Sequence, residues 1–245
     1  MHGQLVDAVF KHQFVLKDSL SLIRQLESIH VPENSELLIT SADVAALYQS
    51  IDIEQGLAAL DWFIKEHTTF PEHLRKFFLD LARLVLGNNY VECEGLEGPA
   101  IFLQKISTAM GTTFSVTYAM IFMIWLETPI INEFWQHILL YKRYIDDLFV
   151  VWSGSLAELS KFRTKFNSAN GNISLEWQDG YGDTIDPDLV DQTKLRRTNF
   201  LDLDIRLQNL VLQHGLSSAS SSNLRMHTPT YFMDPFMTDI FFVAG

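Results

Sequence analysis

Residues 141–152, YKRYIDDLFVVW, constrain the fold of this chain more than any other stretch. Residues 141–145 and 148–152 favour β structure, and two adjacent aspartates sit between them, where the chain can reverse into an antiparallel hairpin. Asp-Asp is a poor choice for turn geometry alone, because a two-residue hairpin turn prefers Asn-Gly or Asp-Gly at positions of positive φ. Two carboxylates about 5 Å apart near a protein surface also repel by roughly 3 kcal/mol at an effective dielectric near 20. Something should compensate them. Divalent cations do so well, since hard carboxylate oxygens bind Mg²⁺ and phosphoryl transfer with two metals needs several converging carboxylates. Asp43 is the natural third, at the end of an apolar strand-like stretch where an unpaired charge is costly. In the competing reading, Asp146 and Asp147 form a solvated turn and Asp43 caps the next helix. Perturbed carboxylates also occur in structural networks, so the residues alone leave both open.

The rest of the chain supplies the elements around that hairpin. Apolar spacing predicts a helix over 16–29, broken by Pro32 and Asn34, and a buried strand within 36–45. Asp52 with Gln55 marks the start of a helix carrying Leu57, Leu60 and Ile64. Another opens at Pro71 and stops at Gly87. Residues 90–93 and 100–105 read as a hairpin, and FSVTYAMIFMIWLE after Gly111 as a buried helix. Ser155 with Glu158 makes a capping box for a helix carrying Leu159, Phe162 and Phe166. ISLEW (173–177) and NFLDLDIRL (199–207) alternate like half-buried strands, and SSASSSN (217–223) reads as linker. This order predicts an α+β domain with helices packed on an antiparallel sheet.

At 245 residues, 47% of them apolar, the chain can bury a sizeable core, which excludes a disordered class. The single cysteine, Cys93, excludes a disulfide framework and a thiolate zinc cluster. A net charge of −12 opposes a surface that is basic throughout. The first residues lack the pattern of a signal peptide. The richest apolar run, around 118–126, is shorter than a membrane span, so no membrane partner is expected.

Four stretches in order resemble the reverse transcriptases, above all the Penelope-like retroelement branch. They are ADVAALYQSI (42–51), TAMGTTFSVTYAMIFM (108–123), RYIDDLF (143–149) with its Y-x-D-D core, and TNFLDLDIRL (198–207). The resemblance covers about residues 18–207. It implies a polymerase palm: 1–35 as a helical lead-in, 36–208 as the palm domain, and 209–245 as a degenerate tail. It implies two-metal nucleotidyl transfer to a primer 3′-hydroxyl, with two Mg²⁺ ions (Mn²⁺ as substitute), an RNA or DNA template with primer, and deoxynucleoside triphosphates. Asp43, Asp146 and Asp147 would be catalytic and metal-binding, with the Val44 carbonyl reaching a metal. Val44, Tyr48, Gly111 and Tyr144 would line the nucleotide site, Tyr48 excluding a ribose 2′-hydroxyl. A core role for Tyr48, a helix-start role for Gly111 and a sheet-rim role for Tyr144 are the structural alternatives. Lys194, Arg196 and Arg197 could contact phosphates or form a solvated charge run. A retroelement origin implies the nucleus or cytoplasm. Telomerase-type relatives share the logic of Asp43 and Asp146.

The sequence also departs from the family. About forty residues precede Asp43, without the basic fingers block, and no basic thumb follows the last motif. Ser115 and Val116 replace the usual Ala-Pro, Met120 replaces Asn, and Ala46 replaces Ser. The expectation is therefore a palm with fingers and thumb largely missing. Two functions are compatible with it: RNA-directed DNA polymerase, and a catalytically inactive palm acting only as a folded or interaction domain.

Overall fold

The computed structural model describes residues 2–31, 37–95, 98–103, 113–207, 224–226 and 243–244. In chain order the elements are α1 (His2–Lys11), α2 (Ser19–Glu27), β1 (Leu38–Val44), α3 (Leu47–Ser50), α4 (Ile53–His67), α5 (Glu72–Gly87), β2 (Tyr90–Gly95), β3 (Gly98–Leu103), α6 (Thr113–Phe134), β4 (Ile138–Tyr144), β5 (Asp147–Trp152), α7 (Leu156–Ser168), β6 (Leu175–Trp177), β7 (Arg197–Phe200), β8 (Leu203–Leu207), β9 (Leu224–Met226) and β10 (Val243–Ala244). They fall into two compact units that alternate along the sequence.

One unit comprises residues 1–15, 45–129 and 169–174. Its helix α4 starts where the sequence predicts, with the Asp52 carboxylate accepting the Gln55 amide at 3.0 Å. Pro71 is the N-cap of α5 rather than its first residue, and α5 runs to Gly87. Tyr118 of α6 lies against α4 and donates its hydroxyl to the Ile53 carbonyl at 3.2 Å. Gly56 permits this approach, since a Cβ there would sit 1.9 Å from the Tyr118 hydroxyl. The expected hairpin forms as β2 and β3, paired from Tyr90–Leu103 to Gly95–Gly98. Helix α1 was not expected. Helix α6, at 22 residues, also outruns the apolar stretch read from sequence; by length and composition it could cross a bilayer. Residues 118–124 are all buried within the protein, as in the core helix of a folded domain.

The other unit, residues 16–44, 130–168 and 175–245, carries the main sheet, ordered β4-β5-β1-β6 with all neighbours antiparallel. Strands β1 and β5 are buried along nearly their whole length because both faces are covered. On one face Trp152 and Trp177 meet Phe162 of α7, at ring separations of 5.5 and 6.3 Å. Arg163 of α7 is fully buried there: it pairs with Asp179, donates to Thr40 Oγ1 at 2.7 Å and lies 4.4 Å over the Trp177 ring. On the other face Ile39, Phe149 and Val151 form a core with Leu22 and Leu26 of α2 and with Phe200, Leu203 and Ile205. The stretch 199–207, expected as one strand, is instead the hairpin β7–β8, turning at Leu201–Asp202. Leu201 has φ +54 and Asp202 accepts a hydrogen bond from Ser19, which ties the turn to the start of α2. β10 and β9 pair in succession along the free side of β8. Ser155 Oγ accepts the Glu158 amide at 3.3 Å, while the Glu158 carboxylate goes to Lys161 at 2.6 Å, so only half of the expected capping box forms. The expected linker at 217–223 and most of the expected 209–245 tail lie outside the described residues.

Candidate active site

The hairpin β4–β5 turns one residue earlier than the sequence suggests. Its central pair is Ile145–Asp146, and Asp147 already belongs to β5, opposite Tyr144. Ile145 has φ +55 and is the first of the two turn residues, a position where glycine is preferred and a β-branched side chain is an outlier. Such a conformation costs on the order of 1–3 kcal/mol and persists only where the surroundings over-determine it. They do so here through the fully buried Arg143, whose guanidinium donates to the Ile145 carbonyl at 2.7 Å, and through the Val44 amide, which donates to the Asp146 carbonyl at 3.1 Å.

That second bond fixes the register that builds the site. Asp43 on β1 stands directly across from Asp147 on β5 and directly across from Glu176 on β6. Residues opposite one another on antiparallel strands share a face, so three carboxyl-bearing positions, 147, 43 and 176, form a row across three strands. With Val44 and Asp146 hydrogen-bonded, the Asp43–Asp147 pair is of the closer type, with Cα atoms about 4.5 Å apart. Directly opposed like charges destabilise a sheet, and the electrostatics register the strain. Asp147 is pushed up to about 6 by burial and by the Asp146 and Asp43 carboxylates. Asp43 is raised by burial, then by Asp146 and Glu176. The Asp146 carboxylate is thus within electrostatic reach of both partners, although it sits on the turn.

The structure therefore brings together Asp43, Val44, Asp146, Asp147 and Tyr144, the last packed against the apolar cluster beneath the sheet. Tyr48 lies half-buried on α3, in the other unit, and Gly111 lies outside the described residues. Glu176 escaped the sequence reading because its neighbour in the row lies 133 positions away, and only register joins them. The available signal was the alternation of ISLEW, which leaves Glu176 outward between Leu175 and Trp177.

Carboxylate oxygens are the donors that Mg²⁺ and Mn²⁺ prefer, and mutual repulsion of this kind is what a divalent cation relieves. The donor set fits such ions in chemistry. Among the described residues, no three His, Cys, Asp or Glu side chains are already gathered around one metal position.

No protein-family model matches the chain, and no curated protein matches it by sequence. Solved structures do match by shape. Telomerase from Candida albicans, in complex with a TWJ fragment of telomeric RNA, superimposes with a TM-score of 0.61 at 13% identity over 84% of this chain. Apo telomerase from Candida tropicalis gives 0.58 at 13% identity, again over 84%. The fold is reverse-transcriptase-like, an α+β palm. A form of that enzyme truncated from its C-terminal domain gives 0.56 at 12%. The chain spans 36%, 38% and 42% of those three telomerase chains, respectively.

Proposed function

We propose that this chain is an RNA-directed DNA polymerase of the Penelope-like retroelement type, extending a primer 3′-hydroxyl with deoxynucleoside triphosphates on an RNA or DNA template. The observation that carries the reading is the pairing of Asp43 with Asp147 across β1 and β5, with Asp146 on the strained turn between β4 and β5, inside a palm-like fold. Asp43 and Asp146 would hold two Mg²⁺ ions, with the Val44 carbonyl and Asp147 in support. Bound there, the ions would supply Lewis-acid activation of the hydroxyl and neutralise charge on the departing pyrophosphate. The chain's own contribution is positioning. Arg143 and the Val44 amide hold the turn, the register aligns the carboxylates, and Tyr144 flanks them on the same face. Tyr48 would pack beneath the sugar and reject a ribose 2′-hydroxyl, and Gly111 would let backbone approach the nucleotide.

Metal-dependent primer extension that disappears in Asp146→Asn, with the thermal melt retained, is the expected result. Extension that proceeds unchanged in Asp146→Asn sinks the assignment. The second reading, a catalytically inactive palm, is favoured by the departures at Ser115, Val116 and Met120 in the Gly111 block. It wins if millimolar Mg²⁺ or Mn²⁺ binds yet no nucleotide is incorporated on any template.

A further inference from the structure

Where the residues that follow β6 meet β7 and the turn before it, a cleft of about 460 Å³ opens, with Gln178, Thr193, Lys194, Arg197 and Asn199 on its walls. Cationic, hydroxyl and amide side chains together are the set that proteins direct at phosphate oxygens and sugars. The carboxylate on the wall, Asp179, does not cancel them, because the buried Arg163 guanidinium pairs with it and Thr40 and the Tyr181 amide donate to it. Lys194 extends its ammonium over the Tyr181 ring, 5.4 Å from the centroid.

The neighbouring sheet adds a second, independent observation. Arg197 on β7 is directly opposite Arg206 on β8, and both bind the Asp204 carboxylate, at 2.9 and 2.6 Å, so two cations share one anion. Like charges placed opposite one another on adjacent strands are unfavourable, and the single Asp204 carboxylate offsets only one of the two positive charges. The cleft is also tied to the carboxylate row. Ser41, two residues before Asp43 on the same face of β1, donates to Gln178 at 2.9 Å and to the Asn199 carbonyl at 3.3 Å, and the Gln178 amide donates to the Ser41 carbonyl at 3.0 Å.

We infer that this cleft holds the phosphodiester backbone of a nucleic-acid strand, with Lys194 and Arg197 as the charged contacts and Thr193, Gln178 and Asn199 as neutral ones. The inference rests on the polymerase reading only for its choice of a strand over a free phosphate. Contacts of this kind carry no base sequence, so they set affinity and its salt dependence.

The test is the fluorescence anisotropy of a labelled single strand of DNA or RNA on the full chain across a KCl series, without divalent metal or nucleotide. In the double variant Lys194→Gln/Arg197→Gln, loss of two phosphate contacts should lower the slope of log K against log [KCl] by about 1.4 and weaken binding about tenfold at physiological salt. The weakening should be equal for strands of unrelated sequence. Gln178→Glu, which keeps the acceptor used by Ser41 but adds a negative charge, should weaken binding as well, whereas Lys194→Arg should retain it. Inorganic phosphate at millimolar concentration should compete only feebly; competition as strong as that of the strand itself would assign the cleft to a free anion and overturn the inference. An unchanged slope in the double variant, or no strand binding by the intact chain, overturns it too. Loss of extension in Asp146→Asn leaves this readout untouched, and a chain that never extends a primer but keeps the Lys194- and Arg197-dependent slope retains the cleft while losing the polymerase.

Discussion

Asp147 and Ile145 carry opposite kinds of cost, and both can be measured. The Asp147 carboxyl titrates at about 6 because burial and two carboxylate neighbours disfavour its charge. A raised carboxyl pKa means that between about pH 4 and 6 the folded chain holds a proton that the unfolded chain has released, so this contribution to stability grows as pH falls through that window. Asp43 acts in the same direction. Below that window the Asp147 contribution levels off, and groups held low take over. Despite burial, Asp61 is held low by hydrogen bonds from Lys65 and Arg75, and Asp204 is held low by Arg206 and Arg197; protonating either loses stability. His67, held below its usual value by burial, acts the other way as pH falls through 6.5, so the Asp147 contribution is read as a difference between variants. On going from pH 7.5 to pH 5 the metal-free parent should gain more, or lose less, in melting temperature than Asp147→Asn. An identical pH response in the two chains would contradict the row. For Ile145, replacement by glycine removes the left-handed penalty of a β-branched residue, about 1–2 kcal/mol, against roughly 0.5–1 kcal/mol of added chain entropy. Ile145→Gly should thus melt at or slightly above the parent temperature while primer extension falls, because the turn no longer fixes Asp146. Tyr48→Ala, by contrast, should leave stability nearly unchanged and raise ribonucleotide incorporation tenfold or more, as expected when a steric exclusion is removed.

At the scale of elements, what the sequence revealed was local. Caps, periods and breakers marked α2, α4, α5, α6, α7 and the β2–β3 and β4–β5 hairpins, since each depends on residues a few positions apart. The misplaced features depend on distant partners. The β4–β5 turn is centred on Ile145–Asp146 because Val44, a hundred positions earlier, takes the Asp146 carbonyl. Residues 199–207 alternate like one strand, yet Ser19 on the far side of the sequence holds the Leu201–Asp202 turn. Asp43 and Asp146 were legible from motif order, while Glu176 needed register. Two substitutions probe these long-range joints. Helix propensity alone favours Gly56→Ala by about 1 kcal/mol, but the new Cβ would meet Tyr118, and overpacking typically costs 1–3 kcal/mol. A net loss in chemical denaturation is expected, and a gain would show that α4 and α6 can separate freely. Asp179→Ala strands the fully buried Arg163 and should cost about 3–5 kcal/mol.

On the scale of the whole molecule, the net charge of −12 and the carboxylate row make the same demand, that cations stabilise the folded state, and the two effects can be separated. Diffuse self-repulsion is relieved by any salt through screening over about 8–10 Å, whatever the cation. A specific site behaves differently: a ligand that binds only the folded chain adds RT ln(1 + [L]/Kd), about 2.7 kcal/mol at a hundredfold excess over Kd. Thermal melts with MgCl₂ or MnCl₂, each matched in ionic strength by KCl, should show an extra rise that saturates with the divalent ion alone. Asp43→Asn and Asp146→Asn should remove that extra rise while leaving the response to KCl intact, because neither changes the net charge by more than one. If the divalent and monovalent salts act alike at equal ionic strength, the three aspartates are a structural feature of the palm and the polymerase reading loses its metal site. If the rise appears but vanishes only in Glu176→Gln, the cation sits at the β6 edge of the row instead of at the turn.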